Sequence, residues 1–161
     1  MGPKNFTHMS RKYFGELLLK HGFSATVGDS PVFYRVNEND VYHMIFPMLG
    51  SRGVWFDLSV LGHSPILNDK SFENFPESVQ DVTGGFSYLH PITGVGPDQK
   101  CYRCRTEEGF IRNFNQEAKP ALEEFGLPYL DKLQTIDDVV TTIPEGMRQL
   151  YNIPNLSLIH I

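Results

Sequence analysis

Four short apolar runs, divided by three four-residue turns, constrain this chain more than any other feature of its sequence. The runs are Phe23–Val27, Val32–Val36, Val41–Leu49 and Val54–Leu61. The turns are Gly28-Asp29-Ser30-Pro31, Asn37-Glu38-Asn39-Asp40 and Gly50-Ser51-Arg52-Gly53. Such residues favour turns because they tolerate positive φ, preset φ, or bond to their own backbone. A parallel crossover needs a dozen or more residues, so neighbouring runs this close pair antiparallel, as a meander. Both faces of the third run are largely apolar, with Val41, His43, Ile45 and Pro47 on one and Tyr42, Met44, Phe46 and Met48 on the other. That pattern marks a central strand, and Pro47 marks an end or bulge in it. Twelve Phe and seven Tyr fit a substantial sheet, since aromatic side chains suit half-buried pleated surfaces.

Helical patterning flanks the meander. Tyr13, Phe14, Leu17, Leu18 and His21 recur at helical spacing from about Ser10, and Gly22 follows as a C-terminal cap. Phe14, Leu17 and Leu18 are expected to bury. Towards the other end, Phe110, Phe114, Ala118, Leu122 and Phe125 keep a period near 3.6 residues, with Gly126 as the expected stop. Pro120 inside that run predicts a kink or two abutting helices. Leu127-Pro128-Tyr129-Leu130 begins another short segment. Thr135 followed three residues later by Asp138 has the spacing of a capped helix start, and Pro144 ends that helix.

Between these parts, Gly62 to Lys100 is punctuated by Pro and Gly and reads as a long excursion. One hairpin is expected within it, joining Phe86–Leu89 to Cys101–Arg105. The fold class is therefore α+β: an N-terminal helix, an antiparallel meander of about four to six strands, and C-terminal helices packed on one face. Residues 9–151 make the single domain, a size that closes a hydrophobic core. Met1 to His8 read as a non-native or floppy lead. The last six residues, Leu156 to Ile161, read as a sequencing-adapter scar within a tail over 152–161, and are set aside from fold reasoning.

No apolar run approaches the roughly 20 residues that span a bilayer, and Met1 to His8 lack a signal peptide's apolar stretch. Two cysteines are too few for a disulfide framework, so a cytoplasmic location is expected. The net charge is −5, and from Arg105 to Glu145 nine acids face four bases. Nucleic-acid binders need clustered Lys and Arg to displace phosphate counterions, and no such cluster occurs. The acidic stretch is either a solvated helical surface or a face for a basic partner.

The order of elements resembles a bacterial family known as domain of unknown function 4304. The resemblance lies in His21-Gly22-Phe23 closing the first helix, the Tyr34-Arg35 step in a strand, and the two strands within Val41–Leu61. It extends to Leu127-Pro128-Tyr129-Leu130, followed by Leu133 and Ile136-Asp137-Asp138. It covers about residues 9–143 and implies an α+β fold, with no active site to carry over.

Few side chains suggest chemistry. Cys101-Tyr102-Arg103-Cys104 has a spacing that can hold zinc, but a closed structural site needs four ligands. His63 and His90 would have to complete it. If the segment is a strand, Cys101, Arg103 and Arg105 share one face while Cys104 points the other way, and the thiols cannot act together. Ordinary structural cysteines are the expectation. Arg103 and Arg105 suit a carboxylate or phosphate, or else pairing with Glu107 and Glu108. His43 lies among apolar residues, as a satisfied core histidine would. His63, with Asp57 nearby in sequence, is better placed as a base, but no nucleophile elbow accompanies it.

No catalytic, cofactor or metal residue is assigned on this reading. His63, His90, Cys101, Arg103, Cys104 and Arg105 remain weak candidates, and no cofactor is expected. The leading expectation is a non-enzymatic, immunity-type module that binds another, basic, protein, with neither nucleic acid nor membrane as partner. The alternative is a small-molecule binder or enzyme with its pocket between the sheet and the 62–100 excursion.

Overall fold

The computed structural model describes residues 1–67 and 87–148. Part of the 62–100 excursion and most of the 152–161 tail's neighbourhood, including the tail itself, lie outside the described residues. The first helix, α1, spans Pro3–Leu19. It closes as a Schellman motif: Gly22 adopts φ +83°, its N–H reaches the carbonyl of Leu19, and the N–H of Phe23 reaches that of Leu18. Only a residue without Cβ takes that conformation freely, which is why the helix stops there. Phe14, Leu17 and Leu18 are buried as expected. The lead is continuous with this helix: residues 3–8 are helical and Phe6 is buried.

Six strands follow one another across the sheet: β1 (Ser24–Ala25), β2 (Phe33–Val36), β3 (Tyr42–Leu49), β4 (Trp55–His63), β5 (Ser87–His90) and β6 (Gly94–Gly96). Every pairing is antiparallel. A seventh strand, β7 (Tyr102–Arg103), pairs with β4 through Trp55↔Arg103 and Phe56↔Tyr102. The expected hairpin therefore forms differently. Residues 87–90 turn back onto 94–96, while the Cys101–Arg105 stretch returns to the far end of β4. That strand is long enough to hold β5 and β7 one after the other along the same edge.

The spine of the sheet is the β3–β4 ladder, which runs unbroken from Tyr42↔His63 to Leu49↔Phe56. Pro47 sits within β3 opposite Leu58 rather than ending the strand. One face of the ladder presents Ile45, Phe56, Leu58 and Val60 to the helices and forms the main core with α1. There Phe14 meets Phe114 edge-on at 5.0 Å, and Phe56 stacks on Tyr102 at 5.2 Å. The opposite face carries a second apolar cluster of Val32, Met44, Phe46 and Leu61.

The C-terminal helices begin with α2 (Glu107–Asn113), capped by the Thr106 hydroxyl accepting from the N–H of Gly109 at 3.0 Å. Helical backbone then continues through α3 (Lys119–Ala121) to α4 (Leu127–Asp131), with a π-helical turn before each. Helical backbone runs on through Pro120, with a π-helical turn on either side of it. A proline lacks the N–H that an α-helix needs, and a wider turn lets the carbonyls before it find other donors. Lys119 N–H thus reaches back to Phe114, and Leu127 N–H to Leu122.

Gly126 does not stop the helix either, since its φ is −66°. A Cβ there would sit 3.2 Å from Leu89 and 3.3 Å from Leu122, so the glycine lets the helix press on β5. Finally α5 (Ile136–Thr142) opens with the capping box expected of Thr135 and Asp138, and α6 (Glu145–Arg148) follows Pro144. Leu133 and Val139 close over Gly62 of β4, where a Cβ would lie 2.6 Å from Leu133 Cδ1. The architecture is an N-terminal helix, an antiparallel sheet and C-terminal helices: an α+β fold.

Candidate functional site

Alternation along β4 decides where the sequence candidates go. Asp57 and His63 share a face, but six residues of strand place them roughly 20 Å apart. They cannot act as an oriented pair. His63 is fully buried beside Tyr42, its ring centroid 6.3 Å away. His90 ends β5 and caps the turn that follows: its Nδ1 accepts the backbone N–H of Ile92 at 3.0 Å and of Thr93 at 3.3 Å. A side chain that caps its own turn is held by local structure rather than presented to a ligand.

The two thiols diverge as strand geometry requires. Cys101 is exposed and Cys104 is buried, both as free cysteines. Burial pushes the Cys104 thiol up to about 11, so it stays protonated and unreactive. Its backbone N–H bonds the carbonyl of Val54, which fixes the chain just beyond β7. No group of three or more His, Cys, Asp or Glu gathers to hold a metal among the described residues.

Arg103 and Arg105 are both exposed, and neither pairs with Glu107 or Glu108 among the described residues. Arg103 instead offers its carbonyl to the Asn113 side chain at 2.7 Å. The six candidates do not converge. Trp55, opposite Arg103, lies at the other end of β4 from His63.

The groups that do converge lie at the corner where β2, β3 and α4 meet. A solvent-open cleft of about 270 Å³ there is lined by Arg35, Val36, Asn37, His43, Asp131 and Gln134. Arg35 and His43 face each other across the β2–β3 ladder. The Nε–H of Arg35 donates to His43 Nδ1 at 3.0 Å. One Nη donates to the His21 carbonyl at 2.7 Å, the other to the Asp131 carboxylate, and the guanidinium lies 4.6 Å from the Phe23 ring centroid.

Guanidinium is always a donor, so His43 Nδ1 must be the acceptor and Nε2 carries the proton. That proton goes to the carbonyl of Leu133 at 2.6 Å. Burial holds the His43 pKa below its ordinary value; the Leu133 bond opposes this, and Arg35 adds to it. Both ring nitrogens are engaged, so this histidine is a structural clasp and not a proton shuttle, as its apolar sequence context suggests.

Asn37 and Asn39 extend the clasp. Both side-chain amides donate to the Gln134 carbonyl, at 2.9 and 3.0 Å. The corner thus ties the end of α1, the β2–β3 hairpin and the α4–α5 link together through polar contacts. Sequence reasoning did not assemble it, because Arg35 and Asp131 lie 96 residues apart. The Arg35–His43 pairing is centred on Asn39, whereas a four-residue turn over Asn37–Asp40 would set Arg35 opposite Tyr42, so turn length does not signal it either.

On the opposite sheet face, Asp57, Ser59 and His63 are buried in one row along β4. Asp57 accepts a bond from Gln99 at 2.8 Å. Burial raises its carboxyl above the ordinary range, and the Gln99 bond offsets this in part. No protein-family model, curated protein or solved structure matches the chain.

Proposed function

We propose that this chain works by binding another protein and not by catalysis, as a bacterial, cytoplasmic module of the immunity type. The observation that carries the reading is the state of its acids. Glu107, Glu108, Glu123 and Glu124 stand exposed along the C-terminal helices, with no ion pair among the described residues. Two of the histidines that could run chemistry are engaged elsewhere: His43 in its clasp and His90 in its turn. No helix of the described residues is long and apolar enough to cross a membrane. The resemblance to domain of unknown function 4304 is kept as part of this proposal and brings no assigned site with it.

An unpaired acidic surface speeds association with a basic partner and makes that association sensitive to salt. The test is calorimetric titration with the purified products of neighbouring genes, at about 0.05 M and about 0.3 M salt. The expected result is binding to one basic product, weakened at the higher salt and by the double substitution E123K/E124K. Binding that ignores both salt and the substitution, or turnover of a small molecule with no protein bound, would overturn the reading.

A further inference from the structure

At the Arg35 corner, charged groups of the fold remain both partly unused and open to solvent. The side chain of Arg35 is 21% exposed and that of Asp131 is 63% exposed, and both line the cleft of about 270 Å³. A guanidinium has five N–H donors in a fixed plane. Three serve His43, the His21 carbonyl and Asp131, which leaves two without a partner among the described residues. Asp131 gives Oδ1 to Arg35, while its Oδ2 accepts no bond among the described residues. Asn37, His43 and Gln134, which line the same cleft, already have partners within the fold.

The backbone of β2 adds a donor and an acceptor at the rim. Successive residues of a strand present their N–H and C=O to opposite edges. The N–H of Asn37 turns to Val41 on the β3 side, so the N–H and C=O of Val36 point to the other edge. β1 ends opposite Tyr34, so no described strand covers that edge at Val36.

We infer that this cleft binds a free α-amino acid with a small uncharged side chain. The pairing of charges selects the class. A plain anion reaching Arg35 meets the Asp131 carboxylate beside it, and a plain cation meets the guanidinium. A zwitterion presents the reverse of the Arg35–Asp131 pair. Its carboxylate takes the remaining Arg35 N–H groups, and its ammonium donates to Asp131 Oδ2. The four charges then alternate, each beside two of opposite sign. The Val36 N–H and C=O offer one further partner to either group. Size narrows the class again, because drug-sized ligands occupy pockets of about 300–1,000 Å³ and this cleft is smaller. Val36 is its apolar lining residue and is half-exposed, which suits a methyl-sized side chain. Partial exposure keeps each charge contact modest, so a Kd of about 1 mM is expected. This site does not rest on the protein-binding proposal, and either can fail without the other.

The probe is L-alanine, with propionate and ethylamine as the same molecule lacking one charge each. The nitrogen-15 signals of the Arg35 side chain and the Val36 amide are followed by NMR at neutral pH and low salt. L-alanine is expected to move both along a saturating curve, and each single-charge analogue to bind roughly three- to tenfold more weakly. D131N keeps an oxygen for Arg35 but removes the charge. It is expected to weaken L-alanine roughly three- to tenfold and to strengthen propionate. D131E keeps the charge and is expected to retain most of the L-alanine binding. Both variants alter an exposed side chain, and unchanged signals elsewhere show that the fold is kept. Arg35 and Val36 signals unmoved by excess L-alanine would overturn the site. Propionate binding as well as L-alanine, or D131N binding L-alanine as the unsubstituted protein does, would overturn it too, leaving a plain anion contact at Arg35.

Discussion

The Nε–H of Arg35 points at Nδ1 of His43 across neighbouring strands, 3.0 Å away, and the other ring nitrogen faces the carbonyl of Leu133 at 2.6 Å. A cation thus fixes the tautomer of a buried imidazole. The same guanidinium holds the Asp131 carboxylate and the end of α1. Three separate parts of the chain meet through one arginine and one histidine.

This relationship makes the fold sensitive to mild acid. Protonated His43 loses its acceptor and sets a second cation against Arg35, with Asp131 the one carboxylate at the corner to offset it. Because its pKa is lowered in the folded state, the unfolded chain binds the proton more readily. The stabilising contribution is complete above the ordinary histidine value of about 6.5, and is lost as pH falls through the lowered one. Urea midpoints measured from about pH 7.5 to about pH 5 are expected to fall with pH. H43Q should be less stable at neutral pH and show a shallower slope. A slope unchanged in H43Q would place the sensitivity in other groups.

The cysteines give a sharp contrast in reactivity. Cys101 is exposed, whereas Cys104 is buried with its thiol raised to about 11. Iodoacetamide at neutral pH, followed by mass spectrometry, is expected to label Cys101 in the folded protein and Cys104 only after denaturation. Rapid labelling of both would mean that the β7 end of the sheet opens readily.

Local signals in the sequence were legible where local physics decides the outcome. The Thr135–Asp138 box forms as its spacing implies: the hydroxyl accepts from Asp138 N–H at 3.2 Å, and the carboxylate accepts from Thr135 N–H at 3.0 Å. Burial would raise that carboxyl, but the bonds from Gln134 and Thr135 outweigh it and hold Asp138 below its ordinary value. The meander also follows from turn length alone. Gly126 was misread because a glycine after a periodic run signals a stop equally with a close approach, and only the position of Leu89 separates the two. The Arg35 corner depends on which strands become neighbours. Spacing along one chain does not encode that, so the candidates drawn from motifs scattered across the fold.

Gly62 tests the fit between α5 and the sheet. Its place in β4 would accept any residue by backbone conformation, yet a Cβ would lie 2.6 Å from Leu133 Cδ1 and 3.4 Å from Val139 Cγ2. Leu133 and Val139 are both buried and have little room to retreat. Gly62→Ala is expected to destabilise the fold by about 1–3 kcal/mol, as overpacking does. The midpoint of urea unfolding measures this. A neutral or stabilising result would mean that the α4–α5 corner shifts without cost.

The beginning of the described chain offers the plainest test of the core. Phe6 is 2% exposed, with its ring 5.5 Å from that of Phe56 and 6.0 Å, edge-on, from that of Phe110. These are contacts of a core aromatic, joining α1 to β4 and α2. Truncating such a ring removes its transfer energy and leaves a cavity, so Phe6→Ala is expected to cost about 3–5 kcal/mol. Lys4, two residues earlier on the same helix, is exposed, and Lys4→Ala should stay within about 0.5 kcal/mol of the unsubstituted protein. Chemical denaturation of the two variants side by side separates core packing from helix propensity, because alanine favours the helix at both positions. A Phe6→Ala cost as small as that of Lys4→Ala would detach the first turns of α1 from the core.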